Sequence, residues 1–404
     1  MASPSKPNPY NLVSPSKPNP YKQSGLPRTD FYAPDFMIKV EGKDLAPETL
    51  KEILEVKVVM DMENMTSFDF TIANPWHYKN EEVNFKYSDS KLFDLGNLVH
   101  VEMGYADRRL IMMTGIITKL TPKFPESGPP TIAVSGQDNL VKLRDRKPTK
   151  KDIKYHTKKK DWEIAQVIAQ RNNLDIKVPD KDGPEYPVVV QRNQDDATFL
   201  MERAKRIDYD CYITTDPDSK KDTLYFIKPT DGRKASQRVT YQFEWGKNLM
   251  SFTPELTVAR QVSSVTVKGW DTKNKQTIEA TATKADLAGK KSAGTSGPEV
   301  VEKKLNKKEH IVVNWPVQSK EEAKALATSL LRERAYEFLK ASGQVIGLPD
   351  MRPGDNVEVK GVGQRFGGQY YITRVEHTIG NNGYTTGFTV RRSWDGGTKE
   401  GDPK

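Results

Sequence analysis

The sequence predicts a mixed, β-rich protein in which two antiparallel β-barrels flank a small α+β module. Residues 29–147 and 236–396 carry apolar residues at alternate positions, which is the spacing of strands with one buried face. Between them, residues 148–235 change to the helical spacing of apolar residues. Residues 1–28 and 397–404 fit neither pattern, and we assign them to an N-terminal arm and a short tail.

The first strand-rich stretch opens with a predicted hairpin. Val56 and Val58 alternate with polar neighbours, a polar turn follows, and Phe68 and Phe70 resume the alternation. Further strand-like runs lie at residues 99–103, 110–118 and 132–134. Because several short strands at this spacing are typical of an antiparallel barrel, we expect residues 29–147 to form the first barrel.

The middle stretch contains two predicted helices. Asp161 is interpreted as the N-cap of the first helix, and the second begins near Asp195. Their buried faces are predicted to hold Ile164, Val167 and Ile168 in the first, and Phe199, Leu200 and Ala204 in the second. Strands are predicted at residues 188–190, 209–213 and 223–227. Cys211, the single cysteine, cannot form an intrachain disulfide, and we expect a buried, inert thiol.

The second strand-rich stretch is interrupted twice. Residues 271–309 are polar, with nine lysines, and are interpreted as a long flexible loop. Ser319 and Glu322 form a predicted capping box that opens the longest helix, residues 319–342. Three strands then close the second barrel, with one core predicted to contain Tyr371, Val375, Phe388 and Val390.

The N-terminal arm contains an internal repeat. Residues 3–10 recur as residues 14–21, and each copy ends in Lys-Pro-Asn-Pro-Tyr. Seven prolines in residues 1–28 exclude a helix and favour a polyproline-like conformation. Two interpretations remain open: a disordered tail, or a docking arm anchored on a neighbour through Tyr10 and Tyr21.

Residue spacing does not predict an enzyme. Five histidines occur, none at metal-ligand spacing: His77, His100, His156, His310 and His377. We expect structural roles for all five, with His377 at the end of a strand. Nucleophile motifs are lacking, and the carboxylate pairs are not framed by apolar residues that would raise a pKa. We therefore expect no catalytic residue, cofactor or metal.

The charge pattern allows two interpretations. The net charge is +9, and residues 142–160 hold ten basic residues. This run is interpreted as a solvated linker or as a phosphate-contacting surface, although Tyr155 is its only aromatic residue for stacking on bases. The start at Met1 lacks an apolar leader, and no apolar run approaches the roughly 18 residues of a membrane helix. We therefore expect a cytoplasmic protein without membrane insertion.

Three sets of segments carry a family resemblance. The first comprises residues 94–105, 114–118 and 134–138; the second, residues 191–204; the third, residues 348–355, 366–371, His377 and 383–386. In this order they resemble the phage late control D family, the tail-hub family of contractile phages and injection systems. Asp195 stands where that family usually has serine, and it preserves a helix cap.

The resemblance implies a structural role in a baseplate. Each of three identical chains would supply two tube-like barrels, so that a trimer presents a ring of six. The implied partners are a separate trimeric spike, the inner tube or its initiator, and baseplate wedge proteins, with no stable nucleic acid. The protein would assemble in the cytoplasm and then belong to the baseplate of a phage tail or injection particle. Two alternatives are a tail-associated peptidoglycan hydrolase and a basic nucleic-acid-binding module.

Overall fold

The computed structural model describes residues 33–79, 82–138, 143, 155–192, 194–215, 221–229, 239–271, 274–287 and 294–397. Its strands are β1 (Pro34–Val40), β2 (Lys43–Asp44), β3 (Ile53–Asp61), β4 (Ser67–Ala73), β5 (Trp76–Lys79), β6 (Glu82–Phe85), β7 (Leu98–Tyr105), β8 (Arg108–Lys123), β9 (Thr131–Asp138), β10 (Tyr155–Lys159), β11 (Asp175–Lys177), β12 (Tyr186–Val190), β13 (Asp210–Thr215), β14 (Asp222–Ile227), β15 (Thr240–Glu244), β16 (Ser251–Leu256), β17 (Ser264–Asp271), β18 (Gln276–Thr283), β19 (Glu309–Val312), β20 (Leu339–Ile346), β21 (Asn356–Lys360), β22 (Gly368–Gly380) and β23 (Gly383–Arg392). Its helices are α1 (Pro47–Lys51), α2 (Asp161–Arg171), α3 (Asp196–Arg206), α4 (Gly297–Lys304), α5 (Lys320–Tyr336) and α6 (Gly363–Phe366). None of these helices combines the length and apolar character needed to cross a membrane.

Thirteen strands form one continuous sheet that curls around two cores, which confirms the β-rich fold class. One end follows the order β2-β1-β7-β8-β9-β4-β3. The other contains β22, β23, β20 and β16, with β21 and β15 branching from the start of β22. The two ends join where β3 pairs with β22, from Asp61 opposite Arg374 to Val56 opposite Ile379.

The first core lies inside β1, β3, β4, β7, β8 and β9. Alternate residues of these strands are buried, including Val56, Val58, Phe68 and Phe70 of the predicted hairpin. Gly136 is required by this packing, because a Cβ atom there would lie 2.2 Å from the ring of Phe68. The alternation in the sequence therefore reports the true inward face of these strands.

The second core lies inside β15, β16, β20, β21, β22 and β23, and it contains Val375, Phe388 and Val390 as predicted. Tyr371 was wrongly assigned to this core: it packs instead with Met62, Tyr212 and Ile227 on the other side of the sheet. The cause is a β-bulge between Ile372 and Arg374, which shifts the alternation by one residue.

The middle module packs α2 and α3 against β10–β14. Its core contains the predicted residues Ile164, Ile168, Phe199, Leu200 and Ala204. Asp195 is the N-cap of α3 and accepts the Thr198 N–H at 2.7 Å, as predicted. The N-cap assignment of Asp161 is wrong, because Lys160 is the N-cap of α2 and Asp161 is its buried first residue.

The predicted loop at residues 271–309 is also wrong. It contains β18 and α4, and β19 begins at its end. β18, β17 and β19 form a three-stranded sheet that packs on α5. Ile278, Ala280 and Ala282 are buried at alternate positions of β18. Two of these three side chains are small and the residues between them are polar. The apolar alternation that would predict a strand is therefore weak in this lysine-rich segment.

The helix predicted at residues 319–342 begins correctly but ends six residues too late. Ser319 caps α5 and accepts the Glu322 N–H at 3.1 Å. The helix ends at Tyr336, and β20 follows from Leu339. The helix was predicted too long because leucine and alanine, which also favour helices, continue into β20. There, alternate residues are buried and the strand pairs with β23 and β16.

Candidate assembly surfaces

Two features of the described side chains concern metal binding and nucleophilic chemistry. Within the described ranges, no group of three or more His, Cys, Asp or Glu side chains is arranged to hold a metal ion. Cys211 is half-buried in β13, and burial, with Asp210 beside it, raises the pKa of its thiol to about 12. A thiol with that pKa is a poor nucleophile at neutral pH.

The two residues proposed for docking, Tyr10 and Tyr21, lie outside the described residues, as does the whole arm to residue 32. The basic run at residues 142–160 is described only at Leu143 and from residue 155 onward. The site therefore has to be built from the surfaces and junctions of the folded body.

The junction between the two barrels is centred on His377. This side chain is fully buried in β22, three residues before the strand ends, rather than at its end as predicted. Its Nε2–H donates to the Met351 carbonyl at 3.2 Å, and its Nδ1 accepts the Tyr384 hydroxyl at 2.9 Å. Burial, reinforced by Arg352, lowers the pKa of His377 to about 3. The imidazole is therefore neutral at physiological pH and links three segments by hydrogen bonds.

Side chains of the first barrel extend this junction. Tyr105 at the end of β7 donates its hydroxyl to the Gly347 carbonyl at 2.8 Å, and its ring lies 5.5 Å from that of Tyr384. Arg108 forms a bidentate ion pair with Asp350, at 2.9 and 3.0 Å. Both partners are only 14% exposed, so this pair is stronger than a surface pair. These contacts hold the barrels at one relative orientation.

A second junction fixes the middle module against the sheet. Asp210 of β13 accepts the Tyr371 hydroxyl at 2.6 Å and lies 3.5 Å from the Arg391 guanidinium. That guanidinium covers the Tyr336 ring at 4.2 Å. Because Tyr371 faces away from the second core, it provides the contact through which β22 binds the module.

Two further ion pairs connect the module to α5. Arg206 at the end of α3 pairs with Glu322 at 2.9 Å, and Arg332 pairs with Asp208 at 2.6 Å. All four side chains are less than 20% exposed. Removing one member of such a pair leaves a buried charge without its partner, which costs about 3–5 kcal/mol in fully buried cases.

Within the module, Asp161 contacts Arg203 and accepts the Tyr186 hydroxyl at 2.9 Å. Burial raises the pKa of Asp161, whereas the nearby Arg203 and Tyr186 oppose that rise. Asp196 is similarly buried and paired with Arg171. Each of these two aspartates therefore pairs with an arginine of the other helix, and the two pairs link α2 to α3.

The outer face of the shared sheet forms a polar groove of about 640 Å³. It crosses β20, β23, β22, β3 and β4, and an ion pair of 2.6 Å between Lys57 and Glu376 spans the two barrels within it. Its lining also includes Thr71, Thr378 and Thr385. The groove therefore marks the barrel junction on the outside of the molecule.

A hairpin of β5 and β6 carries an exposed aromatic surface. Trp76 pairs with Phe85, and Tyr78 pairs with Val83, so all four side chains lie on one face of the hairpin. We call these four residues and the adjacent Phe124 the aromatic hairpin. Trp76 and Tyr78 are 50% and 69% exposed, and Phe124 is 58% exposed. This surface was not predicted from the sequence, although aromatic and apolar residues alternate around a polar turn at residues 76–85.

Several solved structures share this fold. The 43 kDa tail protein of prophage MuSo2 from Shewanella oneidensis aligns with a TM-score of 0.65 and 17% identity, over 89% of this chain and 99% of that one. The tail protein from Neisseria meningitidis MC58 gives 0.62 and 15%, over 89% and 97%. The c3393 protein of E. coli gives 0.51 and 12%, over 87% and 76%. At these identities the similarity establishes the fold of this chain.

Sequence comparison with curated proteins gives no match. A family described as the Alg8 N-terminal domain has a model that matches residues 32–381. This match does not confirm the late control D family, which the sequence segments resemble. Because the match covers most of the chain, from just before β1 to the end of β22, the chain belongs to the Alg8 N-terminal domain family.

Proposed function

We propose that this chain is a structural hub in the baseplate of a contractile injection machine. It acts as a homotrimer that joins a trimeric spike to a hexameric inner tube. The middle module and the unit formed by β17, β18, β19 and α5 stand outside the ring of barrels. The protein performs no catalysis in this role.

The observation that carries this proposal is the shared sheet. One chain contains two barrels, and the β3–β22 pairing joins them side by side. Three such chains around a three-fold axis present six barrels, which matches a six-fold tube on one side while keeping a three-fold surface on the other.

The buried contacts between the barrels support the same role. A symmetry adaptor has to hold its two barrels at a constant angle under load. His377, Tyr105 and the Arg108–Asp350 pair all lie at that junction and are largely excluded from water. Interactions of this kind resist rotation, because any movement leaves buried polar groups without partners.

The similar structures support a tail or baseplate context. Two are tail proteins, and they align over almost their whole length. The c3393 protein is described as a component of the type VI secretion system with structural similarity to the T4 bacteriophage tail proteins gp27 and gp5. By analogy, we propose a spike, an inner-tube or tube-initiator protein, and baseplate wedge proteins as partners. Assembly takes place in the cytoplasm, and the N-terminal arm docks on a neighbour through Tyr10 and Tyr21.

Light scattering and electron microscopy of the purified hub–spike complex test the proposal. We expect three hub chains for each spike trimer, and a ring with pseudo-six-fold symmetry around a central channel. A monomeric complex with one hub and one spike chain would contradict it. So would a trimer whose projections lack six peripheral densities.

A matched pair of variants tests the junction argument. Arg108→Ala breaks the inter-barrel ion pair, whereas Lys268→Ala breaks an exposed pair with Glu279 in which the partners are 41% and 48% exposed. We expect ring yield to fall only for Arg108→Ala. Equal yields would mean that this contact does not set the barrel orientation.

A further inference from the structure

Within the part of the chain that the structure describes, the rings of Trp76, Tyr78 and Phe124 in the aromatic hairpin are at least half exposed. β5 and β6 pair only with each other, and such two-stranded ribbons are marginally stable when alone. Trp76 and Tyr78 form a perpendicular pair with ring centres 5.3 Å apart, and Phe85 and Phe124 form a second pair at 4.9 Å. Together they form a cluster of largely exposed rings, which we call the cleft, and clustered exposed rings mark interaction sites.

The base of the hairpin is anchored to the first barrel. Asn74, which precedes β5, donates its N–H to the Pro130 carbonyl at 2.8 Å, and its side chain accepts the Tyr87 N–H at 3.0 Å. The Lys86 N–H reaches the Pro75 carbonyl at 2.9 Å. The cleft is therefore held at a defined position, and its exposure is a built feature of the fold.

We propose that the cleft binds the outer repeat of the N-terminal arm, residues 3–10. Proline-rich segments in the polyproline II conformation dock on aromatic-lined grooves, since they lose little conformational entropy and present flat pyrrolidine rings. The outer repeat has that chemistry, with prolines on both sides of Asn8 and a terminal Tyr10. This proposal names the binding site for the docking role already proposed for the arm, and it rests on that role.

Chain length favours the outer repeat over the inner one. The arm joins the body at Ala33, whose carbonyl accepts the Ala106 N–H at 2.9 Å beside the start of β8. β8 has 16 residues and ends next to Phe124, so the cleft lies up to about 50 Å away along the barrel. At about 3.1 Å per residue, an extended arm would span about 37 Å from Ala33 to Tyr21 and about 71 Å from Ala33 to Tyr10. An arm that extends to Tyr10 can therefore span even this upper bound, in its own chain or a neighbour, whereas Tyr21 can reach the cleft only over a shorter path.

Photo-cross-linking in the full-length protein tests the proposal. Benzoylphenylalanine replaces Tyr10 in one preparation and Tyr21 in another, and mass spectrometry maps the products. We expect position 10 to cross-link to residues 76–85 or to Phe124. Mixing isotope-labelled and unlabelled chains identifies whether the arm belongs to the same protomer or to its neighbour. Cross-links from position 10 that map elsewhere, or none at all, would overturn the proposal.

Variants separate docking from folding. Trp76→Ala with Tyr78→Ala should reduce the cross-link about tenfold or more, since two stacking contacts are lost. Trp245→Ala, which removes a 64% exposed ring on the second barrel, should leave it unchanged. Pro7→Ala with Pro9→Ala should weaken it without touching the folded body. An undiminished cross-link in the hairpin variant would refute the assignment, and so would equal loss in the Trp245 control.

The same samples distinguish this inference from the proposed hub function. A trimer that forms without the cross-link refutes the docking site alone. A cross-link in a protein that stays monomeric with its spike refutes the hub stoichiometry and retains the docking site. Self-association through two hairpins, detected as a cleft-to-cleft cross-link from position 78, would replace the arm as the occupant.

Discussion

The ring of Phe388 fills the centre of the second barrel, and its removal should reveal how tightly that barrel is packed. Phe388 is 3% exposed and stacks on Phe243 with ring centres 5.7 Å apart. On β20, the strand paired with β23 at this position, a Cβ atom at Gly343 would lie 2.3 Å from the ring. We expect Phe388→Ala to cost about 3–5 kcal/mol of unfolding free energy, because it removes a buried ring and leaves a cavity. That is a large part of the roughly 5–15 kcal/mol typical of a domain.

A double-mutant cycle with Gly343 makes this test specific. Gly343→Ala alone should cost about 1–3 kcal/mol, because the added methyl group meets the ring. In the Phe388→Ala background the methyl group enters the cavity, so the two changes should couple by about 1–3 kcal/mol. Gly387→Ala is the control, since its Cβ would lie 3.7 Å from that of Glu376, an ordinary contact. It should change stability by less than about 0.5 kcal/mol.

Equilibrium unfolding in urea, followed by fluorescence and by hydrogen exchange of β23, measures the cycle. Hydrogen exchange is needed because a chain of several modules need not unfold in one step. If Phe388→Ala unfolds at the same urea concentration as the parent protein, the packing assigned to this core is wrong. Strictly additive effects of the two changes would show that Gly343 and Phe388 do not contact each other.

Three further outcomes follow from the junctions and the arm. The pKa of His377 is about 3 in the folded protein and about 6.5 in the unfolded chain. As the pH falls from about 6.5 to about 5, protons therefore bind the unfolded chain before they bind the folded protein. The free energy of unfolding should fall by up to about 1.4 kcal/mol per pH unit over that range. His377→Asn should reduce this dependence on pH when unfolding in urea is measured at several pH values, and an unchanged dependence would exclude His377 as its source. Because the hydrogen bonds of His377 are buried, we expect its truncation to lower the free energy of unfolding by more than a position at the end of a strand would suggest. Tyr371→Phe should cost about 1.5–3 kcal/mol and speed hydrogen exchange in the middle module, since Asp210 loses a charge-assisted bond, whereas exposed Tyr78→Phe should change nothing measurable. Deleting residues 1–28 should leave the melting temperature unchanged but lower particle yield, and full yield would identify a dispensable tail.

Local patterns of residues were enough to predict one strand hairpin and the starts of two helices. Alternation located the β3–β4 hairpin, and short polar side chains located the starts of α3 at Asp195 and α5 at Ser319. These signals survive because side-chain direction in a strand and capping at a helix start depend on a few neighbouring residues. The proposed docking residues, Tyr10 and Tyr21, stay a prediction from the repeat.

Contacts between segments that are distant in the chain could not be predicted from local patterns. The β3–β22 ladder joins residues more than 300 positions apart, and no local pattern encodes it. One bulge beside Ile372 moved Tyr371 from the predicted core to the module contact, because a shift of one residue reverses every side chain of a strand. Asp161 became a buried ion-pair partner because Arg203 and Tyr186 converge on it from other elements. Such contacts depend on where the chain returns in space, and they alone define the junctions on which the proposed function rests.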